Sequence, residues 1–156
     1  MKKIKKIVIG TNNEGKFKEI CRLLPNNIKK ISLKDYKIKS PPETGKSFHE
    51  NSVIKARYFS RLLKLPCLSD DSGLEVDILD NQPGIFSARW GGKKRDFNLA
   101  INKVLNQMKK NSKQWKKKNK AKFVCCITLY WPDNKFFSAN GIVNGKIIDK
   151  KRGNNG

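Results

Sequence analysis

Pro66-Cys67-Leu68-Ser69-Asp70-Asp71-Ser72-Gly73-Leu74-Glu75-Val76, continued through Pro83-Gly84 to Ser87-Ala88-Arg89-Trp90-Gly91-Gly92, is the stretch on which the reading of this chain turns. Two apolar residues lead into adjacent carboxylates, Asp70 and Asp71, and Leu74-Glu75-Val76 resumes a strand-like alternation. In extended backbone, neighbouring side chains point to opposite faces. A bend at Ser72-Gly73 would instead gather both carboxylates around one cation. Mg²⁺ takes oxygen ligands, usually one or two carboxylates completed by water and substrate phosphates. The plain alternative is a surface turn, because Asp, Ser and Gly are turn residues.

The acidic spot is conspicuous because the rest of the chain is basic. Its 156 residues carry 35 Lys and Arg against 13 Asp and Glu, a formal net charge of +22. That length is one domain's worth and can bury a core without staples. The charge points to polyanionic partners: nucleic acid, anionic membrane or phosphates. It is mostly lysine, spread along the chain, and a general lysine bias accounts for it equally well. Cys21, Cys67, Cys125 and Cys126 form no C-x-x-C pair, which fits buried, reduced thiols in a cytoplasmic protein. His49 is the only histidine, which argues against a His-rich zinc site or a Ser-His-Asp triad. No apolar run reaches membrane-span length, so no membrane role is expected.

Upstream, Ile7-Val8-Ile9 suits a buried strand. It feeds Gly10-Thr11-Asn12-Asn13-Glu14-Gly15-Lys16, after which Phe17, Ile20, Cys21 and Leu24 share one helical face. Strand, glycine-containing loop and helix follow in the order of a phosphate site, where backbone N–H groups at the helix start receive an anion. The loop matches G-x-x-x-x-G-K, but Phe17 stands where a P-loop needs Ser or Thr to hold Mg²⁺. A metal at this loop must therefore be held elsewhere, with Asp70 and Asp71 as candidates. A capped turn with a solvated lysine is the plain alternative.

Ile28 to Leu33 reads as a second strand, and Lys34 to Pro42 as a loop. Ser47-Phe48-His49-Glu50 is a capping box opening a helix to about Leu63. That helix offers Phe48, Phe59, Leu62 and Leu63 to a core. Ser47, Asn51 and Lys55 line its polar face, where Asn51 and Lys55 either face a ligand or are solvated. Glu50 reads as a cap and His49 as a bystander. Asp96 caps an amphipathic helix through Phe97, Ala100, Ile101, Val104, Leu105 and Met108. Lys109 to Lys122 is a lysine-rich run expected to be solvated. It carries the alternative reading, a basic nucleic-acid-binding protein with Trp115 stacking on a base. Ala121 to Trp131 is the strongest strand, Pro132-Asp133-Asn134 a hairpin turn, and Lys135 to Ala139 the return strand. Gly141 to Ile148 reads as a further strand around Asn144-Gly145, another possible turn. The glycine-rich end, Lys151 to Gly156, suggests a domain that is incomplete at its C-terminus.

Three stretches together resemble one family: Thr11 to Lys16; Glu43-Thr44-Gly45 with Ser47 to Asn51 and Lys55-Ala56-Arg57; and Ser69 to Val76 through Pro83-Gly84 to Trp90. In order and spacing they are similar to the non-canonical purine nucleoside triphosphate pyrophosphatases, also called inosine triphosphate or dITP/XTP pyrophosphatases. The resemblance runs from about Ile7 to Gly156. It implies an α/β fold with an elongated mixed sheet flanked by helices and two lobes around a central cleft. It also implies a homodimer and Mg²⁺-dependent cleavage of dITP, ITP or XTP to monophosphate and pyrophosphate, cleansing the nucleotide pool. By position, Thr11, Asn12, Asn13, Glu14, Gly15 and Lys16 match the substrate-phosphate loop. Asp71 matches the proton acceptor and a metal ligand, Glu43 and Asp70 the other metal-site acids, and Ser72 a substrate contact. Lys55 matches a lysine facing the triphosphate. The family usually has Gly at the position of Asn12 and Tyr at that of Trp90. Its base-gripping motifs, Phe-Gly-Tyr-Asp-Pro and Ser-His-Arg, would follow Gly156.

Overall fold

The computed structural model describes residues 4–150. The glycine-rich end expected at Lys151 to Gly156 lies outside them. The elements in order are β1 (Lys6–Ile9), α1 (Glu14–Leu23), β2 (Lys29–Ser32), α2 (Phe48–Leu63), β3 (Cys67–Val76), β4 (Gln82–Pro83), α3 (Phe97–Asn111), β5 (Lys120–Tyr130) and β6 (Phe136–Lys146). Short 3-10 turns occupy Leu33–Tyr36, Asp77–Leu79 and Gly84–Gly91. The strands hydrogen-bond in the order β2-β1-β3-β5-β6, with β4 paired to β3. β1 runs parallel to both β2 and β3, whereas β4 is antiparallel to β3, so the sheet is mixed.

The described chain forms two compact units. The first comprises the chain up to Asp71 together with Cys126–Asn140. Its core explains the β-branched run of β1. Successive side chains alternate between faces, so Ile7 and Ile9 pack with Ile20 of α1 while Val8 packs with Ile31, Leu33, Phe59 and Cys67. From Ile7 to Ile9 β1 is buried on both sides, and only Lys6 at its start is exposed. Phe17, the residue that breaks the P-loop pattern, packs against the Ile7–Ile9–Ile20 cluster, so its place is structural.

The second unit comprises Ser72–Cys125 and the chain from Gly141 onward. Its core gathers Val76, Leu79, Val104, Met108, Trp115 and Ala121. Asp96 caps α3 by accepting from the N–H groups of Asn98 and Leu99.

Four expectations are corrected. β3 runs unbroken from Cys67 to Val76, so Ser72-Gly73 is no bend. β6 likewise continues from Phe136 to Lys146 through Gly141 and Asn144-Gly145, joining two expected strands into one. Leu62 shares an exposed flank of α2 with Tyr58, and Phe97 is half exposed at the start of α3. The lysines from 109 to 122 are exposed as expected, apart from half-buried Lys122, but the run is ordered: α3 extends to Asn111 and β5 begins at Lys120. Trp115 between them is only 7% exposed, with the ammonium groups of Lys116 and Lys109 at 5.8 and 6.0 Å from its ring centre. A ring packed into a core is not available to stack on a base.

Candidate active site

The first unit brings three elements to the acidic pair. β3 supplies Asp70 and Asp71, buried at 5% and 7% exposure. Because the strand stays extended, the two carboxylates find different partners. Lys16, from the first turns of α1, places Nζ 2.5 Å from Asp70 Oδ2. Lys55 of α2 places Nζ 3.3 Å from Asp71 Oδ1 and 2.7 Å from Glu43 Oε1.

Lys16 arrives there because α1 starts where it does. Asn13 is the N-cap, its Oδ1 accepting from the Lys16 N–H at 3.2 Å. Thr11 Oγ1 accepts from the Asn13 N–H, and Asn12 Nδ2 donates to Ser40 Oγ. Glu14 turns its carboxylate to an exposed pair with Lys34, whose hydrogen bond and charge hold it below the usual carboxylate range. Glu14 and Gly15 form the first turn of α1. Gly10 is required where β1 passes β3: a Cβ there would stand 1.9 Å from Ser69 Oγ.

The start of α2 is fixed just as closely. Ser47 Oγ accepts from the Glu50 N–H, and Glu50 Oε2 accepts from the Lys46 N–H, so Glu50 is a cap as expected. One turn on, the polar face is not solvated. Asn51 is fully buried. Its Nδ2 donates to Asp71 Oδ2 at 3.1 Å, and its Oδ1 accepts from the Gly45 N–H at 2.8 Å. Asn51 thus ties the Glu43–Gly45 loop to the carboxylate. The sequence marks it only by its i, i+4 spacing with Ser47 and Lys55. Gly45 is forced by this closeness, since a Cβ would lie 2.7 Å from Asn51 Oδ1.

The electrostatics follow from burial. Burial raises Asp71 above the usual carboxylate value and Glu43 adds to the rise, while Lys55 and Asn51 oppose it. Burial alone would lower Lys55. Asp71, then Glu43 and Asp70, outweigh it and hold the ammonium above its usual range. The site is a set of carboxylates neutralised by lysines.

Glu43, Asp70 and Asp71 offer only oxygen donors, which suit a hard cation. Among the described residues no three Asp, Glu, His or Cys side chains form a cage for a metal ion. Mg²⁺ needs no such cage, because it keeps several waters and shares substrate phosphates. Ser72, the next residue of β3, is half-buried and opens the second unit.

The site therefore sets the start of α1 beside two buried carboxylates paired with lysines, on an α/β scaffold with a mixed sheet. The chain belongs to the Ham1 family, which it matches over residues 7–156. It is 38% identical to a dITP/XTP pyrophosphatase of Bradyrhizobium diazoefficiens, over 97% of this chain and 72% of that protein. It is 39% identical to one of Zymomonas mobilis over the same shares. A Ham1 protein from Coxiella burnetii superposes with a TM-score of 0.86 at 33% identity, covering 98% of this chain and 78% of that one. The Staphylococcus aureus Ham1 protein gives 0.82 at 34% identity, covering 97% and 77%.

Proposed function

We propose that this protein hydrolyses dITP, ITP and XTP between the α- and β-phosphorus, releasing pyrophosphate and a purine nucleoside monophosphate. The observation that carries the reading is the buried Asp71, which shares Lys55 with Glu43 while Lys16 of the anion loop pairs with the adjacent Asp70. The names of the curated relatives supply the substrate class.

Lys16, Lys55 and the loop amides hold the triphosphate through charge-assisted hydrogen bonds. Asp71 accepts the proton of the attacking water. A carboxylate raised by burial is a stronger base than a solvated one, which suits that task. Asp70, Asp71 and Glu43 would hold Mg²⁺, which when bound would supply charge neutralisation for the triphosphate and the leaving pyrophosphate. Ser72 contacts the substrate beside Asp71. The protein acts as a homodimer in the cytoplasm, in keeping with its four free cysteines.

The test is pyrophosphate release from dITP, ITP and XTP with Mg²⁺ and with EDTA, with dATP and dGTP as comparison. Release from the inosine and xanthosine nucleotides that EDTA stops is expected. Turnover of none of them, or of dATP equally well, would overturn the reading. Light scattering after size exclusion tests the dimer.

A further inference from the structure

A chain of hydroxyls runs through the first unit, apart from the carboxylates. Thr128 of β5 and Ser52 of α2 are both fully buried. Their oxygens lie 2.7 Å apart, and Thr128 Oγ1 lies 2.8 Å from Ser138 Oγ on β6. Ser52 Oγ donates to the His49 carbonyl at 2.8 Å.

Each hydroxyl has one proton. The Ser52 proton faces two acceptors, the His49 carbonyl at 2.8 Å and the Cys126 sulfur at 3.4 Å, and the nearer and stronger carbonyl takes it. Thr128 must then donate to Ser52, and Ser138 to Thr128. The chain is directional, from the sheet to the first turn of α2, and bonds aligned this way reinforce one another. It ends on a significant turn. His49 and Asn51 lie in it together, and a Ser bonded back to a carbonyl three residues earlier bends a helix. β5 is the sheet neighbour of β3, which carries Asp71. The chain therefore ties the helix bearing Asn51 and Lys55 to the strand beside their carboxylate.

We infer that Thr128, bridging Ser138 and Ser52, is a positioning residue that sets the seating of α2 and so holds Asn51 on Asp71 and the Gly45 loop. This rests on the proposed reaction for its consequence in turnover, but not for its geometry.

Two readouts test it: kcat and KM for dITP, and exchange of the Asn51 side-chain amide protons followed by NMR. Thr128→Val keeps the shape and removes the hydroxyl; Thr128→Ser restores the hydroxyl. The expected result is a kcat lowered roughly tenfold or more in Thr128→Val, the scale on which small misplacements act, with KM little changed. Asn51 amide exchange should be faster by a similar factor, and both should recover in Thr128→Ser. Unchanged Asn51 exchange in Thr128→Val overturns the inference, as does an equal loss in Thr128→Ser, which would make packing the cause. If Thr128→Val does not fold, Ser52→Ala removes the other partner of the same bond, and unchanged Asn51 exchange in it equally overturns the inference. A wild-type protein inactive on dITP would refute the proposed function, and the amide measurement would still decide the positioning role.

Discussion

Lys16 Nζ stands 2.5 Å from Asp70 Oδ2. The lysine that would hold a phosphate thus neutralises a carboxylate that would hold a cation. A nucleotide that draws Lys16 away removes a neutralising charge from Asp70, and a cation at Asp70 meets repulsion from Lys16. The two ligands favour each other's entry, and this coupling is reciprocal. Lys16→Met should therefore tighten binding of the cation alone while weakening binding of the nucleotide. Mn²⁺ titrated without nucleotide and followed by electron paramagnetic resonance checks the first effect, with an expected gain of about threefold to tenfold for one nearby charge at partly screened distance. Unchanged or weaker Mn²⁺ binding would show that the pair does not compete with the metal.

Asp71→Asn should reduce turnover by about two to four orders of magnitude, the range for a positioned general base, while nucleotide binding largely survives. Stability should not fall with it. Burial raises the Asp71 pKa above its ordinary 3.8, so the folded state disfavours its ionised form. That penalty is absent well below 3.8 and fully present above the raised value. A neutral amide removes it at neutral pH, and Lys55 keeps Glu43 as a partner. The expected thermal midpoint at pH 7.5 is equal to or above that of the wild type. A large drop would mean that activity was lost through unfolding.

Much of this was readable in the sequence where the signal is local. Ser47 and Glu50 lie within one turn, and the structure has the cap, with Glu50 reaching back one residue further to the Lys46 N–H. The strand, loop and helix from Ile7 to Leu24 are legible for the same reason. What failed was long-range. The lysines from 109 to 122 are exposed, as they look, yet Trp115 among them is enclosed with Val104, Met108 and Ala121. Asn51 looks like any polar helix residue until β3 and the Gly45 loop close on it. Turn residues also misled: Ser72-Gly73 and Asn144-Gly145 carry turn chemistry, but strand pairing overrides local preference.

Gly10→Ala should destabilise the protein although no glycine-only backbone angle is involved. The added Cβ would lie 1.9 Å from Ser69 Oγ and 3.0 Å from both Cys67 Sγ and Phe59 Cδ2. Overpacking of this kind costs about 1–3 kcal/mol. Ser69→Ala in the same chain removes the worst contact and should recover part of the loss, a non-additivity that urea melts of both single variants and the double variant would measure. Simple additivity would mean that β1 shifts as a whole instead of pressing on Ser69.

Alkaline pH should weaken the fold in two stages. Burial pushes the Cys67 thiol from its ordinary 9.0 up to about 12. Lys55, despite burial, is held above its ordinary 10.5 by Asp71 and Glu43. In both cases the folded state keeps a proton that the unfolded chain releases. Their stabilisation is complete below the unfolded values and is lost as pH rises, from 9.0 for Cys67 and from 10.5 for Lys55. One group adds a slope of at most about 1.4 kcal/mol per pH unit. Cys67→Ala should flatten the fall in unfolding free energy between pH 9.0 and 10.5 relative to wild type, apart from a constant offset for the missing sulfur. Above that range the Lys55 contribution should persist in the variant. Parallel wild-type and Cys67→Ala curves from urea melts across pH 8 to 11 would show that the thiol does not titrate with unfolding.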